Sequence, residues 1–277
     1  MDDGTQDFAV MELDPSPLRL PIFVLSLTIS EKRRMAVNAL MGQHKLHFRF
    51  FDAVDGMHIS NEELAAAYDK DANGKSFKRP LSAGEIACAL GHRAIWAEIA
   101  TGPEPLVIVC EDDVSFSSQF VAFAKSLAAH APAFEGVLIK LDGASRGGHH
   151  LGQIGGVQVL FGRRVPHRTT GYVIGRRAAQ QLLCNLGPIA RPVDIDLKRY
   201  WGHGVPVLST GGPLVSERPD SASTLAEGRR QMLAQGQLPR ALRHIKYQIS
   251  MTIGRLRHPR RLQDLPYEIV NILAGKP

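Results

Sequence analysis

The sequence predicts an α/β protein with a largely parallel sheet. Three observations carry that reading. Short apolar runs at 20–27, 105–110 and 136–142 alternate with segments of helical period. Several of these runs end in acids, as strand ends that face a binding crevice do. The composition, 44% hydrophobic and 22% charged over 277 residues, supplies a sizeable core.

The elements follow in order. LPIFVLSL (20–27) reads as a buried strand, and Ser30 is placed to cap a helix through Leu40. HFRFFDAVDG (47–56) reads as a second strand ending in acids and a glycine, and the polar stretch Asp69–Lys78 as a loop. Ser82-Ala83-Gly84-Glu85 is a capping-box pattern opening a helix to about residue 100. On a wheel of about 100° per residue, Ile86, Ala89, Leu90, Ala94 and Ala97 share one side of it. Cys88, Ile95, Trp96 and Ile99 cover most of the other, so the helix is expected to be buried, with only the Ala87, Gly91 and Glu98 sector left over.

After the strand at 105–110 come an acidic turn, a helix near 118–129 and the strand GVLIKLD (136–142). DGASRGGHHLGQIGG (142–156), with six glycines, reads as a lid or a disordered connector. Strands near 157–161 and 171–174 precede a helix near 176–185, and beyond residue 215 the pattern is helical and basic. The expected organisation is a loose tail over 1–19, a main domain over 20–218 and a basic helical segment over 219–277.

Residues 229–261 hold nine Lys or Arg and no acid, against a net charge of +6 for the chain, so the remainder carries −3. The basic character belongs to this segment. Within it Leu242, Ile245, Ile249 and Ile253 form one stripe of a helix 238–253, with Arg240, Arg243 and Lys246 around it. That suits an anionic membrane surface, or a core-docked helix with a solvated face. Aromatic residues for base stacking are nearly absent there, which argues against nucleic acid.

No apolar run of about 18 residues suggests a spanning helix. The start, MDDGTQDFAV, lacks the pattern of a secretory signal. Cys88, Cys110 and Cys184 show no CxxC or metal spacing and read as reduced core thiols. The expected location is cytoplasmic, peripheral on the inner face of the cytoplasmic membrane if the basic segment binds lipid. There is no GxGxxG and no GxxxxGK, so dinucleotide and P-loop readings lack support.

The chemistry concentrates at VIVCEDDVSF (107–116), where an apolar run ends in Glu111-Asp112-Asp113. Three adjacent carboxylates repel unless something positive neutralises them. If the strand continues, Glu111 and Asp113 face one side, and two hard oxygen donors there suit Mg²⁺ or Mn²⁺. A solvated strand-end turn is the plain alternative. His92 and Arg93 fall in or beside the buried helix face, and a buried arginine needs a carboxylate or phosphate. A structural ion pair and a satisfied core histidine would also explain them. Arg33 and Arg34 open a helix at a strand's carboxyl end, where anions bind, or line a solvated helix face.

Three blocks stand in order: FVLSLTISEKRRMAVNAL…FRFFDAVDG, LSAGEIACALGHRAIW and PLVIVCEDDVSF. TTGYVIGRRAAQQLL and RPVDIDL follow. Together they resemble glycosyltransferase family 25, the lipooligosaccharide galactosyltransferase family, over about residues 20–218. The resemblance implies a GT-A-like, Rossmann-type nucleotide-sugar-binding domain. It implies a UDP-sugar donor, UDP-galactose first, a divalent metal (Mn²⁺ or Mg²⁺), a glycan or glycolipid acceptor of the lipopolysaccharide type, and inversion at the anomeric carbon. It makes Asp113 the metal ligand, with Glu111 on metal or ribose. Arg33, Arg34, Asp55, Gly56, His92, Arg93, Glu111 and Asp112 would bind donor. Asp194 is the first choice for the base, with Asp142 and Asp196 as alternatives. Gly91 stands where the family commonly has serine before the histidine, and Gly171 where alanine or histidine often precedes the tyrosine. Competing readings are a Mg²⁺-binding receiver-like protein and a UDP-sugar-binding scaffold without turnover. The order of the acidic cluster in the chain disfavours the receiver.

Overall fold

The structure is a computed structural model that describes residues 18–219 and 238–276, with only the backbone at 238–240. The expected tail before residue 18, the cations Arg229 and Arg230 and the side chain of Arg240 lie outside the described residues.

Eight strands form one sheet: β1 (Ile22–Ser26), β2 (Arg49–Asp52), β3 (Leu106–Glu111), β5 (Leu138–Lys140), β6 (Arg146–Ile154), β7 (Val157–Arg164), β8 (Gly171–Gly175) and β9 (Val207–Thr210). Their order is β2-β1-β3-β8-β5-β9-β7-β6. A two-stranded ribbon pairs β4 (Val114–Phe116) with β10 (Val215–Glu217). The helices are α1 (Glu31–Gln43), α2 (Asn61–Ala67), α3 (Lys70–Ser76), α4 (Ala83–Thr101), α5 (Phe120–Ala128), α6 (Arg176–Asn185), α7 (Val193–Lys198), α8 (Tyr200–His203), α9 (Leu238–Arg257) and α10 (Tyr267–Leu273).

The expected α/β class holds, but the parallel sheet holds only in part. β2, β1 and β3 are mutually parallel and β5 is parallel to β9. β8 runs antiparallel between β3 and β5, and β7 and β6 add an antiparallel edge. This arrangement positions the site. The carboxyl ends of β1, β2, β3, β5 and β9 share one edge of the sheet. The reversed β8 begins at that edge, so the segment before it, residues 165–170, arrives at the same rim.

Strand alternation splits the core into two layers. Leu106, Ile108 and Cys110 of β3 face a cluster with α1, α5 and α10, while Val107 and Val109 face one with α4, α6 and α9. Each such side chain contributes about 1.5–3 kcal/mol by leaving water. All five are at most 1% exposed, which explains the uninterrupted apolar run.

Several boundaries differ from expectation. Asp69–Lys78 is not a loop. The Asp69 side chain caps the Ala72 N–H and α3 follows it. Ser60 and Glu63 form a capping box for α2, a signal the sequence displayed. The expected cap at Ser30 makes no side-chain bond, whereas the Ser82–Glu85 box does form. The glycine-rich stretch is not a lid. It is strand β6, turning into β7 through Gly155 and Gly156 at φ +54° and +76°, a two-residue hairpin turn. Cys110 is buried, Cys88 half-buried and Cys184 exposed, so the last is not a core thiol.

Helix α4 is buried on a different face from the one expected. Ala94 and Ala97 are exposed, while Ala87 and Gly91 are covered. A Cβ at Gly91 would sit 3.0 Å from the Leu25 side chain. A Cβ at Gly171 would sit 2.6 Å from Val215 Cγ2. Both departures from the family pattern therefore have packing causes: α4 lies close on β1, and β8 lies under β10. Gly171→Ala is expected to lower stability by about 1–3 kcal/mol, because the stiff, buried Val215 cannot yield. A urea midpoint unchanged from wild type would contradict this packing.

Candidate functional site

Glu111 ends β3 at the rim and Asp112 and Asp113 follow it, and each of the three meets a different environment. Asp112 points toward β1 and is buried. Its Oδ2 accepts from the Ser26 hydroxyl at 2.8 Å and its Oδ1 from Arg33 at 2.8 Å. Arg218 also donates to the Asp112 carbonyl at 3.0 Å. Both carboxylate oxygens are engaged, and α1 is tied to the strand end.

Glu111 points the other way. Its Oε1 accepts from the Thr169 hydroxyl at 2.5 Å and faces His92 Nε2 at 3.4 Å. His92 Nδ1 lies 2.8 Å from the Tyr172 hydroxyl, to which Trp96 Nε1 donates at 2.9 Å. Indole N–H is a donor only, so the consistent direction runs Trp96 to Tyr172, Tyr172 to His92 Nδ1, and His92 Nε2–H to Glu111. This buried chain fixes the Glu111 carboxylate. Burial pushes its pKa up, but the His92 and Thr169 hydrogen bonds and the field of Lys140 hold it below the usual carboxylate value.

Asp113 receives no such support. Its Oδ1 is buried without a hydrogen-bond partner. Burial first, then the charges of Glu111, Asp112 and Glu217, push its pKa up to about 6, against the opposing pull of Arg33. Of the three carboxylates it is the one most in need of a cation.

At the next strand end, Lys140 and Asp142 form a buried pair at 2.9 Å. Lys140 also donates to the carbonyl of Arg168, a residue in the left-handed region at φ +76°. Asp142 Oδ1 and the Thr170 hydroxyl are buried without partners. Burial raises the Asp142 carboxyl despite Lys140. Lys140 is the one charge in an apolar strand, a signal in the sequence that marks it as a site residue.

Asp194 stands in the first turn of α7 and is partly exposed. Burial pushes its carboxyl up, but His167 (Nδ1 at 3.8 Å), Lys140 and the Arg168 N–H hold it below the ordinary value. Lys198, 2.7 Å from His167 Nε2, is pushed down to about 8 by burial. Asp196 is paired with Arg191 at 2.5 Å and buried, which makes it a structural partner.

The structure thus brings together Arg33, His92, Glu111, Asp112 and Asp113 by direct contact or field, and joins Asp142 and Asp194 to them through Lys140. Arg34 belongs to a neighbouring tie. It binds the Asp52 carboxylate and the carbonyls of Ser26 (3.1 Å) and Leu27 (3.2 Å). Asp55 accepts from Met57 N–H at 2.9 Å and pairs with His58 at 2.7 Å, so it shapes its own turn. Gly56 packs on the start of α4, with room for no Cβ beside Gly84 (2.6 Å). Arg93 donates to the Gly187 carbonyl at 2.8 Å, near the Arg191–Asp196 pair and not at the acidic turn. Thr169, Tyr172, His167 and Lys198 were not singled out in the sequence, because their roles arise only from contacts across the sheet.

The charge of Glu111 raises the Asp113 carboxyl, so the two carboxylates interact as a pair of hard oxygen donors. Cys88, His92 and Glu111 also place one ligand atom each within 4.8 Å of one another; the Cys88–His92 spacing of one helical turn went unread in the sequence. Elsewhere, a cavity of about 440 Å³ lies beside Tyr200, Trp201, Arg257 and Arg260, away from every expected site residue.

Residues 19–151 match the profile of glycosyltransferase family 25 (LPS biosynthesis protein). The chain is 27% identical over 209 residues to the lacto-N-neotetraose biosynthesis glycosyltransferase LgtB of Neisseria gonorrhoeae, covering 70% of this chain and 73% of that protein. It is 28% identical over 184 residues to a probable inactive glycosyltransferase 25 family member 3 of Bos taurus, covering 63% of this chain and 30% of that protein. It is 30% identical over 102 residues to procollagen galactosyltransferase 2 of Homo sapiens, covering 36% and 16%. The match thus spans less than a third of the length of the two mammalian relatives.

Two outcomes follow from the site itself. Tyr172→Phe leaves the Trp96 N–H and His92 Nδ1 unpaired in the core and should cost about 1–3 kcal/mol in urea unfolding; no loss would break the proposed chain. The raised Asp113 carboxyl binds a proton in the folded state that the unfolded state releases between its ordinary value of 3.8 and about 6. The contribution of Asp113 to metal-free stability should therefore fall as pH rises through that window. Asp113→Asn should stabilise the chelator-treated protein by about 1–3 kcal/mol at pH 7, an effect that shrinks toward pH 4. Equal effects at both pH values would show that the carboxyl is unperturbed.

Proposed function

From the premise that this chain belongs to glycosyltransferase family 25, we propose that it transfers a hexose, galactose in first place, from a UDP-sugar to a hydroxyl of a lipooligosaccharide-type glycan. The observation that carries this reading is Asp113, a half-buried carboxylate beside Glu111 with one buried, orphaned oxygen and a raised pKa. Such a group fits a divalent cation, and Glu111 and Asp113 are the residues that would hold it. A bound Mg²⁺ or Mn²⁺ would supply charge neutralisation for a departing diphosphate.

The remaining work falls to the chain. The Ser26 and Arg33 contacts hold Asp112, and through it the turn, so that Asp113 keeps its place. The Trp96–Tyr172–His92 chain and Thr169 orient Glu111 toward the donor side. Lys140 supplies a fixed positive charge to the rim, where phosphate charge would collect. In the transfer, the bond from the anomeric carbon to the diphosphate oxygen breaks while the acceptor oxygen bonds to that carbon from the opposite face. The acceptor proton passes to a carboxylate, for which Asp194 is the choice. It is partly exposed and held ionised, whereas Asp142 is locked to Lys140 and Asp196 to Arg191.

Purified protein with UDP-galactose, Mn²⁺ and a lipooligosaccharide-type glycan acceptor should transfer sugar, and UDP with Mn²⁺ should raise Tm by a few degrees. Asp113→Asn should abolish both effects. Asp194→Asn should lower kcat by about 10²–10⁴-fold while leaving the Tm shift intact; undiminished turnover would move the base to Asp142. A second reading, donor binding without turnover, draws on mammalian relatives described as inactive or probably inactive family members. UDP binding with no transfer to any acceptor would select it.

A further inference from the structure

Helix α9 presents apolar residues on two opposite faces, and only one of them is docked against the described residues. Tyr247 and Met251 are buried. Gly254 lies so close to the domain that a Cβ would fall 2.3 Å from the Trp201 indole. Arg243 donates to Asn73 Oδ1 at 3.1 Å, so this cation faces the body of the protein. On a wheel of about 100° per residue these four positions share one sector.

The opposite sector holds Leu242, Ile245, Ile249, Ile253 and Leu256, exposed by 69, 55, 53, 41 and 72%. Single exposed aliphatic residues are ordinary, but five in one line along a helix are not. Lys246 and Arg257 are exposed and sit on the edge of the stripe. No acid occurs anywhere from 229 to 261.

The geometry points to this face as a docking surface for an anionic phospholipid bilayer, with α9 lying in the plane of the membrane. The stripe runs from Leu242 to Leu256, about 21 Å along one line of the helix, which suits a flat interface. The flanking cations match anionic headgroups, each adding about tenfold or less to partitioning. A second copy of the chain fits worse. A two-fold contact through this face would bring the cations of one basic helix toward those of the other with no acid between them. No described helix is long and apolar enough to cross a membrane, so the contact is peripheral. The inference stands on α9 alone and does not depend on the transfer reaction.

The test is co-sedimentation of the full chain with vesicles of phosphatidylcholine, with and without phosphatidylglycerol. Retention should be at least about tenfold higher on the anionic vesicles and should fall in about 0.5 M salt. Leu242→Ser with Ile249→Ser removes two exposed side chains, so the fold should persist by circular dichroism, and retention should drop about tenfold or more. Lys246→Glu with Arg257→Glu should remove the preference for anionic lipid. Met57→Ser, at an exposed apolar residue off the helix, should change nothing. No retention of the wild-type chain, or equal retention of the serine variant, would overturn the proposal. So would a dimer in sedimentation velocity that the serine variant dissociates while vesicles bind neither protein.

Discussion

Three adjacent carboxylates at the end of one buried strand must each be reconciled with their own repulsion. The rest of the rim is organised around that requirement. Desolvation raises the cost of every charge at this position, so a single nearby cation could not serve all three. Asp112 is satisfied by an ion pair and a hydroxyl from the first strand and helix. Glu111 is satisfied by donors from α4 and the segment before β8. Asp113 keeps an orphaned oxygen. The division of labour leaves one carboxylate with an uncompensated oxygen while its neighbours tie the turn to the strands and helices around it.

These ties depend on packing away from the rim. Glu111 can be aimed only because His92 is buried, and His92 only because Tyr172 and Trp96 meet it in the core. α4 must therefore lie tight on β1, which Gly91 permits, and β8 must pass under β10, which Gly171 permits. A hydrogen-bond chain in a region of low dielectric is strong when complete and costly when broken. Core packing and site geometry are here the same set of contacts.

Much of the architecture was legible in residue patterns. The uninterrupted run before Glu111 announced a strand buried on both faces, and Ser82 with Glu85 announced the start of α4. What failed did so for identifiable reasons. The glycines of 142–156 suggested a lid, yet they serve the twist and tight turn of an edge hairpin. Asp69 was a helix cap hidden in a polar stretch, and the Ser60–Glu63 capping box went unread. Arg93 and Arg34 find partners within the protein, Arg93 on a carbonyl near the Arg191–Asp196 pair and Arg34 bracing the ends of β1 and β2. Charge and spacing show that a residue needs a partner without showing which partner it finds.

The sequence by itself determined the alternation of strands and helices, the acidic strand end and the concentration of positive charge after residue 229. Periodicity and composition encode these directly, because they depend on neighbours within a turn or two of chain. Only the tertiary structure decided which carboxylate goes unpaired, which aspartate stays ionised, and which face of α9 meets the protein. Those outcomes turn on contacts between residues dozens of positions apart, Thr169 with Glu111 or Arg33 with Asp112. The first exists because β8 runs backwards through the sheet and delivers its leading segment to the rim, the second because β1 and β3 lie side by side in parallel. Electrostatic compensation falls off with distance and not with sequence separation, so it becomes readable only when the chain is folded.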